Sequence, residues 1–141
     1  MTSGTANGRR VFALAAIGFE PYDLDGPLQP EITWQPISFD RASQQGSYLM
    51  RLAPGARTIA HAHPGYEDFL ILEGELTDSD GRVLGRGDFV SYPPGSRHHS
   101  WTATGCVIAV FEWQPGAPQP DGSRVTERPG SDHAAAPATG R

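Results

Sequence analysis

The sequence contains no lysine: all 11 of its basic residues are arginine, set against 16 acidic ones, for a formal net charge of −5. No basic run interrupts that acidic balance, so nucleic-acid binding, which rests on a positive footprint, is not expected. A single cysteine excludes a disulfide scaffold and a thiolate zinc finger, both of which need several. Apolar residues make up only 38% of the chain, and no run of them approaches the ~20 residues of a membrane span. Glycine and proline, by contrast, are plentiful at 17 and 13 of 141 residues. Both break helix interiors, which argues against a bundle of long helices. The length suits one domain of about 100–150 residues with a modest core.

Arg9-Arg10 precede a short apolar run, Val11–Phe19, in superficial likeness to a twin-arginine export signal. Glu20 follows at once and no small-residue cleavage site is evident. The favoured reading is an N-terminal strand docking on the domain, with the cytoplasm as the expected location. Composition changes after Trp113: residues 114–141 hold five Pro and four Gly, with Val125 their only sizeable aliphatic. Such a segment buries too little apolar surface to offset its ordering entropy, so a disordered Pro/Gly/Ala-rich tail is expected there. Residues 1–10 read as a flexible N-terminus, which leaves residues 11–113 to form the single domain.

Within that stretch the apolar runs are of strand length: Ser47–Ala53, Thr58–His63, Asp68–Leu72, Asp88–Tyr92, His98–Thr102 and Cys106–Trp113. Pro54-Gly55, Pro64-Gly65, Gly74, Asp80-Gly81, Gly85/Gly87, Pro93-Pro94-Gly95 and Gly105 separate them. Regular short strands bounded by turn residues indicate an all-β sandwich or barrel. Asp78-Ser-Asp-Gly81 suits a hairpin tip, and Asp23–Pro30 suits a loop wrapping the barrel.

Four of the five histidines fall in two pairs, His61/His63 and His98/His99. Side chains alternate along a strand, so His61 and His63 share a face, and by the same parity Ile59 and Arg57 share it too. Pro64-Gly65 turns the chain back, which can bring Glu67 beside both imidazoles. A third strand can add His98, in phase with Ser100 and Thr102. Three imidazoles and a carboxylate make a borderline-hard donor set suited to Fe(II), Zn(II), Mn(II), Ni(II) or Cu(II). Surface histidines beside a solvated glutamate are the alternative on spacing alone.

The wider pattern is more specific. Gly55-x5-His61-x-His63-x3-Glu67-x6-Gly74, then Gly87-x5-Pro93-x-Gly95-x2-His98, resembles the two motifs of the cupin family, with Thr102 at the family's Asn position. Leu52-Ala-Pro-Gly55, His61-Ala-His-Pro-Gly65, Leu72-Glu-Gly74, Tyr92-Pro-Pro-Gly-Ser96 and Gly105-Cys106 resemble the cupin domain of ChrR-type anti-sigma factors and related dioxygenases. The likeness begins near Ile32, so no counterpart of the helical sigma-binding domain of ChrR proteins is expected. The resemblance implies a cupin jelly-roll barrel (a double-stranded β-helix) in which His61, His63, Glu67 and His98 ligate one divalent metal, and it implies a homodimer.

Around that site, Arg57 is a candidate for orienting an anionic substrate, as are Arg51 and Arg97. Tyr66 is expected at the pocket mouth and Phe69, in phase with Glu67, as a pocket wall. Tyr48 and Tyr92 are expected to pack at strand ends, His99 to face away, and Cys106 to be a buried inert thiol. The expected function is a mononuclear metal-dependent enzyme, an Fe(II) dioxygenase acting on a small hydroxyketone or diketone. A non-catalytic sensory cupin and a metal-assisted isomerase or cyclase stand as alternatives.

Overall fold

The computed structural model describes residues 6–24 and 26–116. The expected tail from residue 117 onward, and residues 1–5 of the N-terminal one, lie outside the described residues. Ten strands run through the described part: β1 (Glu20–Pro21), β2 (Ile32–Asp40), β3 (Gln45–Leu52), β4 (His61–Ala62), β5 (Tyr66–Asp78), β6 (Val83–Gly85), β7 (Phe89–Tyr92), β8 (Arg97–His98), β9 (Ser100–Trp101) and β10 (Cys106–Trp113). All pair antiparallel, and the arrangement is an all-β jelly roll. No helix among the described residues is long and apolar enough to cross a membrane.

The middle of the larger sheet is β3–β10–β5. Strand β10 shows why: its β-branched residues suit a pleated surface, and Cys106, Ile108 and Val110 alternate into the core. Val110 stands opposite Tyr48 on one side and Phe69 on the other. Burying side chains such as Trp34, Leu52, Phe69 and Ile71 stabilises the fold by roughly 1.5–3 kcal/mol each. Trp34, Tyr48, Phe39 and Tyr22 add edge-to-face contacts at 5.3–5.6 Å that link β2, β3 and the segment after β1.

Strand β5 is longer than the expected Asp68–Leu72 run because it pairs with different strands along its length. Its first half pairs with β10 and β7, and its last residues pair with β6 and β9. The corner lies at Gly74, which is inside the strand and not at a turn between strands. There φ is +75°, and a Cβ would collide with the carbonyl oxygen of Gly105, so only glycine fits. The register against β10 shifts between Val107 and Ile108, the mark of a bulge. Burial therefore changes phase along β5, from Glu67, Phe69 and Ile71 to Leu76 and Asp78.

The Asp78–Gly81 hairpin forms as expected. Asp78 and Arg82 pair across it through the Asp78 N–H, Gly81 N–H donates to the Asp78 carbonyl, and Gly81 takes φ +86°. The N-terminal strand does not form. Leu14–Ala16 is a 3-10 turn closed by Ala16 N–H on the Ala13 carbonyl, and Val11 is exposed. Leu-Ala-Ala has neither β-branching nor aromatic bulk to favour extension, and the first strand waits until Glu20.

Candidate functional site

The histidines sit on short strands. In β4 and β8, His61 stands directly opposite His98. His63 follows β4 and is tied to the β7–β8 turn: its N–H donates to the Ser96 carbonyl, and its carbonyl accepts from Gly95 N–H. The Pro64-Gly65 turn then returns the chain, and Glu67 enters β5 opposite Tyr92. Glu67 meets two imidazoles at once. Its Oε2 lies 2.8 Å from His63 Nε2 and its Oε1 lies 2.9 Å from His98 Nε2. The ligand atoms of His61, His63 and Glu67 lie within 4.8 Å of one another, so these residues could hold a metal ion.

Each ring is held in place by a different partner. His61 Nδ1 is 2.6 Å from the Ile59 carbonyl oxygen; that contact assigns the proton to Nδ1 and leaves the Nε2 lone pair toward the cluster. His98 stacks on Tyr92 with centroids 3.9 Å apart and planes 11° from parallel. Behind the rings stand two more carboxylates. Glu112 Oε1 is 3.7 Å from His63 Nδ1 and accepts from the Tyr48 hydroxyl at 3.4 Å, while Asp78 Oδ1 is 3.6 Å from His98 Nδ1.

His63, Glu67 and His98 are all buried. Burial alone would raise the Glu67 pKa, but hydrogen bonds and charge from His63 and His98 outweigh it and hold the carboxyl down at about 2. Burial, with the negative charges of Glu112 and Glu67 nearby, pushes the Tyr48 phenol well above its ordinary value, so Tyr48 stays a hydrogen-bond donor. The donor set fits a divalent cation. A buried carboxylate calls for positive compensation, and imidazole and carboxylate are borderline-hard donors whose ligand atoms converge within 4.8 Å at His61, His63 and Glu67. Outer carboxylates are also what orients ligating imidazoles.

The cluster opens on a cavity of about 70 Å3 lined by His61, Glu67 and His98 at one side and by apolar side chains such as Met50, Leu52, Phe69, Ile108 and Val110 elsewhere. Phe69 is a wall of it, as parity suggests. Arg57 is not. The expected strand over Thr58–His63 is regular only at His61–Ala62. Residues 56–58 pair instead with 100–102, which turns Ala56 inward and Arg57 outward, over the ring of Trp101 at 5.7 Å. Arg51 lies over Phe19 at 4.2 Å, and no arginine among the described residues lines the cavity. Tyr66 is not at its mouth either; it stacks on Trp113 and lines a second, more polar pocket that also reaches His61 and His63.

Several residues acquire roles that the spacing did not assign. Tyr48 and Tyr92 contact the cluster and do not merely end strands. Glu112 continues the inward alternation of Ile108 and Val110, so its place beside Glu67 was readable in principle. Asp78 was not, because the bulge at Leu72 reverses the parity between Glu67 and Asp78. Thr102, completely buried, uses its hydroxyl to donate to the Glu75 carbonyl and accept from Gly105 N–H, tying β5 to the turn before β10. His99 is exposed, and burial pushes the Cys106 thiol up to about 11 despite a hydrogen bond with Thr102.

A β-barrel with this cluster inside its wall defines the class: the protein is a cupin. Within that class the chain belongs to the ChrR Cupin-like domain family, whose model matches residues 25–116. Among solved structures it is similar to an RmlC-like cupin from Shewanella frigidimarina, at 26% identity and TM-score 0.52, over 67% of this chain and 83% of that one. It is similar in fold to an acetylacetone dioxygenase from Acinetobacter johnsonii, at 14% identity and TM-score 0.59, over 89% and 87%. It also resembles in fold a chain of the Rhodobacter sphaeroides SigE–anti-sigma ChrR complex, at 18% identity and TM-score 0.54, over 71% of this chain and 51% of that one. No curated protein matches significantly by sequence.

Proposed function

We propose that the protein is a mononuclear metal-dependent enzyme of the dioxygenase type, acting on a small hydroxyketone- or diketone-like molecule. The observation that carries this reading is a cluster of half-buried His61 with buried His63, Glu67 and His98, opening directly on an apolar cavity. These four residues would hold one divalent metal, Fe(II) being favoured over Zn, Mn, Ni or Cu. When bound, such an ion supplies Lewis acidity toward an oxygenated ligand and, as Fe(II), a site for dioxygen. The chain does the rest. Asp78 and Glu112 place negative charge behind the rings, Tyr92 braces His98, and Phe69, Ile108 and Val110 keep bulk water from the cavity.

A regulatory reading is favoured by the family itself, whose description refers to ChrR. In that case the same cavity would read out a ligand without turnover. Metal analysis of anaerobically purified protein, combined with oxygen uptake on hydroxyketones and diketones, separates the two. The enzyme reading expects near-stoichiometric iron and substrate-dependent oxygen consumption; a zinc protein that consumes no oxygen overturns it. A homodimer is proposed as well, with exposed Phe89, Phe111 and Trp113 as candidate contacts, and light scattering tests it.

A further inference from the structure

Ser100 and Thr102 lie two residues apart on the same inward face, and both are almost completely buried. Their hydroxyls differ. Thr102 spends both its donor and its acceptor capacity on backbone groups. Ser100 has a fully paired main chain: its N–H donates to Thr58 Oγ1 at 2.8 Å and its carbonyl accepts from Thr58 N–H at 2.9 Å. Its Oγ, however, has no hydrogen-bond partner among the described residues, and the residue lines the cavity with His98. A buried hydroxyl with nothing to bond destabilises a fold, and alanine would fill the position without that penalty.

The cavity adds two constraints. At about 70 Å3, several times the roughly 10–15 Å3 that one water needs, it is a site for a small molecule. Among the described residues, no charged side chain lines it apart from Glu67 and the histidines. We infer that Ser100 Oγ is a recognition hydroxyl that donates to an oxygen of the cavity's ligand, and that this ligand is a compact, uncharged, oxygenated molecule. The inference rests on the cavity being the ligand site, as the proposed function has it, and adds the specificity residue and the size limit.

The test uses binding and not turnover. The full chain is loaded with Zn(II), and acetylacetone and nonane-2,4-dione, which carries four more carbons, are titrated calorimetrically into wild type and Ser100→Ala; thermal unfolding without ligand is recorded for both. The expected result is unchanged zinc content, an unfolding temperature for Ser100→Ala equal to or above wild type, and acetylacetone affinity reduced about 5–10-fold. The longer diketone should bind wild type at least about tenfold more weakly than acetylacetone. Equal acetylacetone affinity in Ser100→Ala, a lowered unfolding temperature, equal binding of the longer diketone, or no binding of acetylacetone to wild type each overturns the inference. Binding without oxygen uptake in the iron-loaded protein would sink the enzyme reading and leave this one standing.

Discussion

The long strands and the short strands of this barrel divide the site between them by charge. Glu67 and Asp78 come from β5 and Glu112 from β10, both anchored in the middle of the large sheet. His61 and His98 come from β4 and β8, two residues each and paired only with one another, and His63 follows β4. The carboxylates are thus built on the stiff wall and the imidazoles on a rim with few ladder hydrogen bonds of its own. Contacts from His63 and His98 to Glu67 stitch rim to wall. A cation bound among them would tighten the same seam, so metal binding and rim order should be coupled.

Removing the seam should have the largest effect. Glu67→Gln or His63→Ala is expected to lower metal affinity more than 100-fold, read by competition with a chromophoric chelator; retained stoichiometric metal would refute the assigned ligands. Breaking the wall instead is next: Gly74→Ala should cost about 3 kcal/mol or more of stability in urea titrations, because both the positive φ and the Gly105 carbonyl oppose a side chain.

The metal-free protein should show the seam in its pH dependence. Glu67 titrates at about 2 when folded, against an ordinary value of 4.5, so its contribution is complete above pH 4.5 and lost as the pH falls through about 2. The loss is on the order of 3 kcal/mol, and Glu67→Gln should flatten that limb of the stability profile. Asp78→Asn and Glu112→Gln, which remove the charges behind the rings without removing a donor, should weaken metal binding about 10–100-fold. Smallest of all, Arg57→Ala should change stability by less than about 1 kcal/mol and leave ligand affinity unchanged, since the guanidinium lies over Trp101 outside the cavity.

Where a strand is regular, the sequence was readable. The run Cys106–Trp113 is β10 to the residue, and alternation along it puts Ile108 and Val110 into the cavity wall. The spacing of His61, His63 and Glu67 around Pro64-Gly65 works because a short strand and a tight turn leave little freedom. The misreadings cluster where regularity fails. Arg57 was projected inward by counting in twos through residues 58–60, which are not strand, and one slip in phase exchanges the two faces. Asp78 lies beyond the Leu72 bulge, which inserts the same slip into β5. In Val11–Phe19 the strand-forming residues stand at the ends, and Leu14–Ala16 between them turns as a 3-10 helix.

By itself, then, the sequence determined the class of structure and the chemical type of the donors. Alternation, turn residues and histidine spacing are local properties, enforced by backbone sterics within a few residues. Only the tertiary structure decided which carboxylates stand behind the rings, which side of the barrel Arg57 faces, and that Ser100 has an unspent hydroxyl beside an apolar cavity. Those outcomes depend on where β5 bends and on which distant strand each residue meets. A single bulge reverses the side that every later residue presents, and no count along the chain registers it.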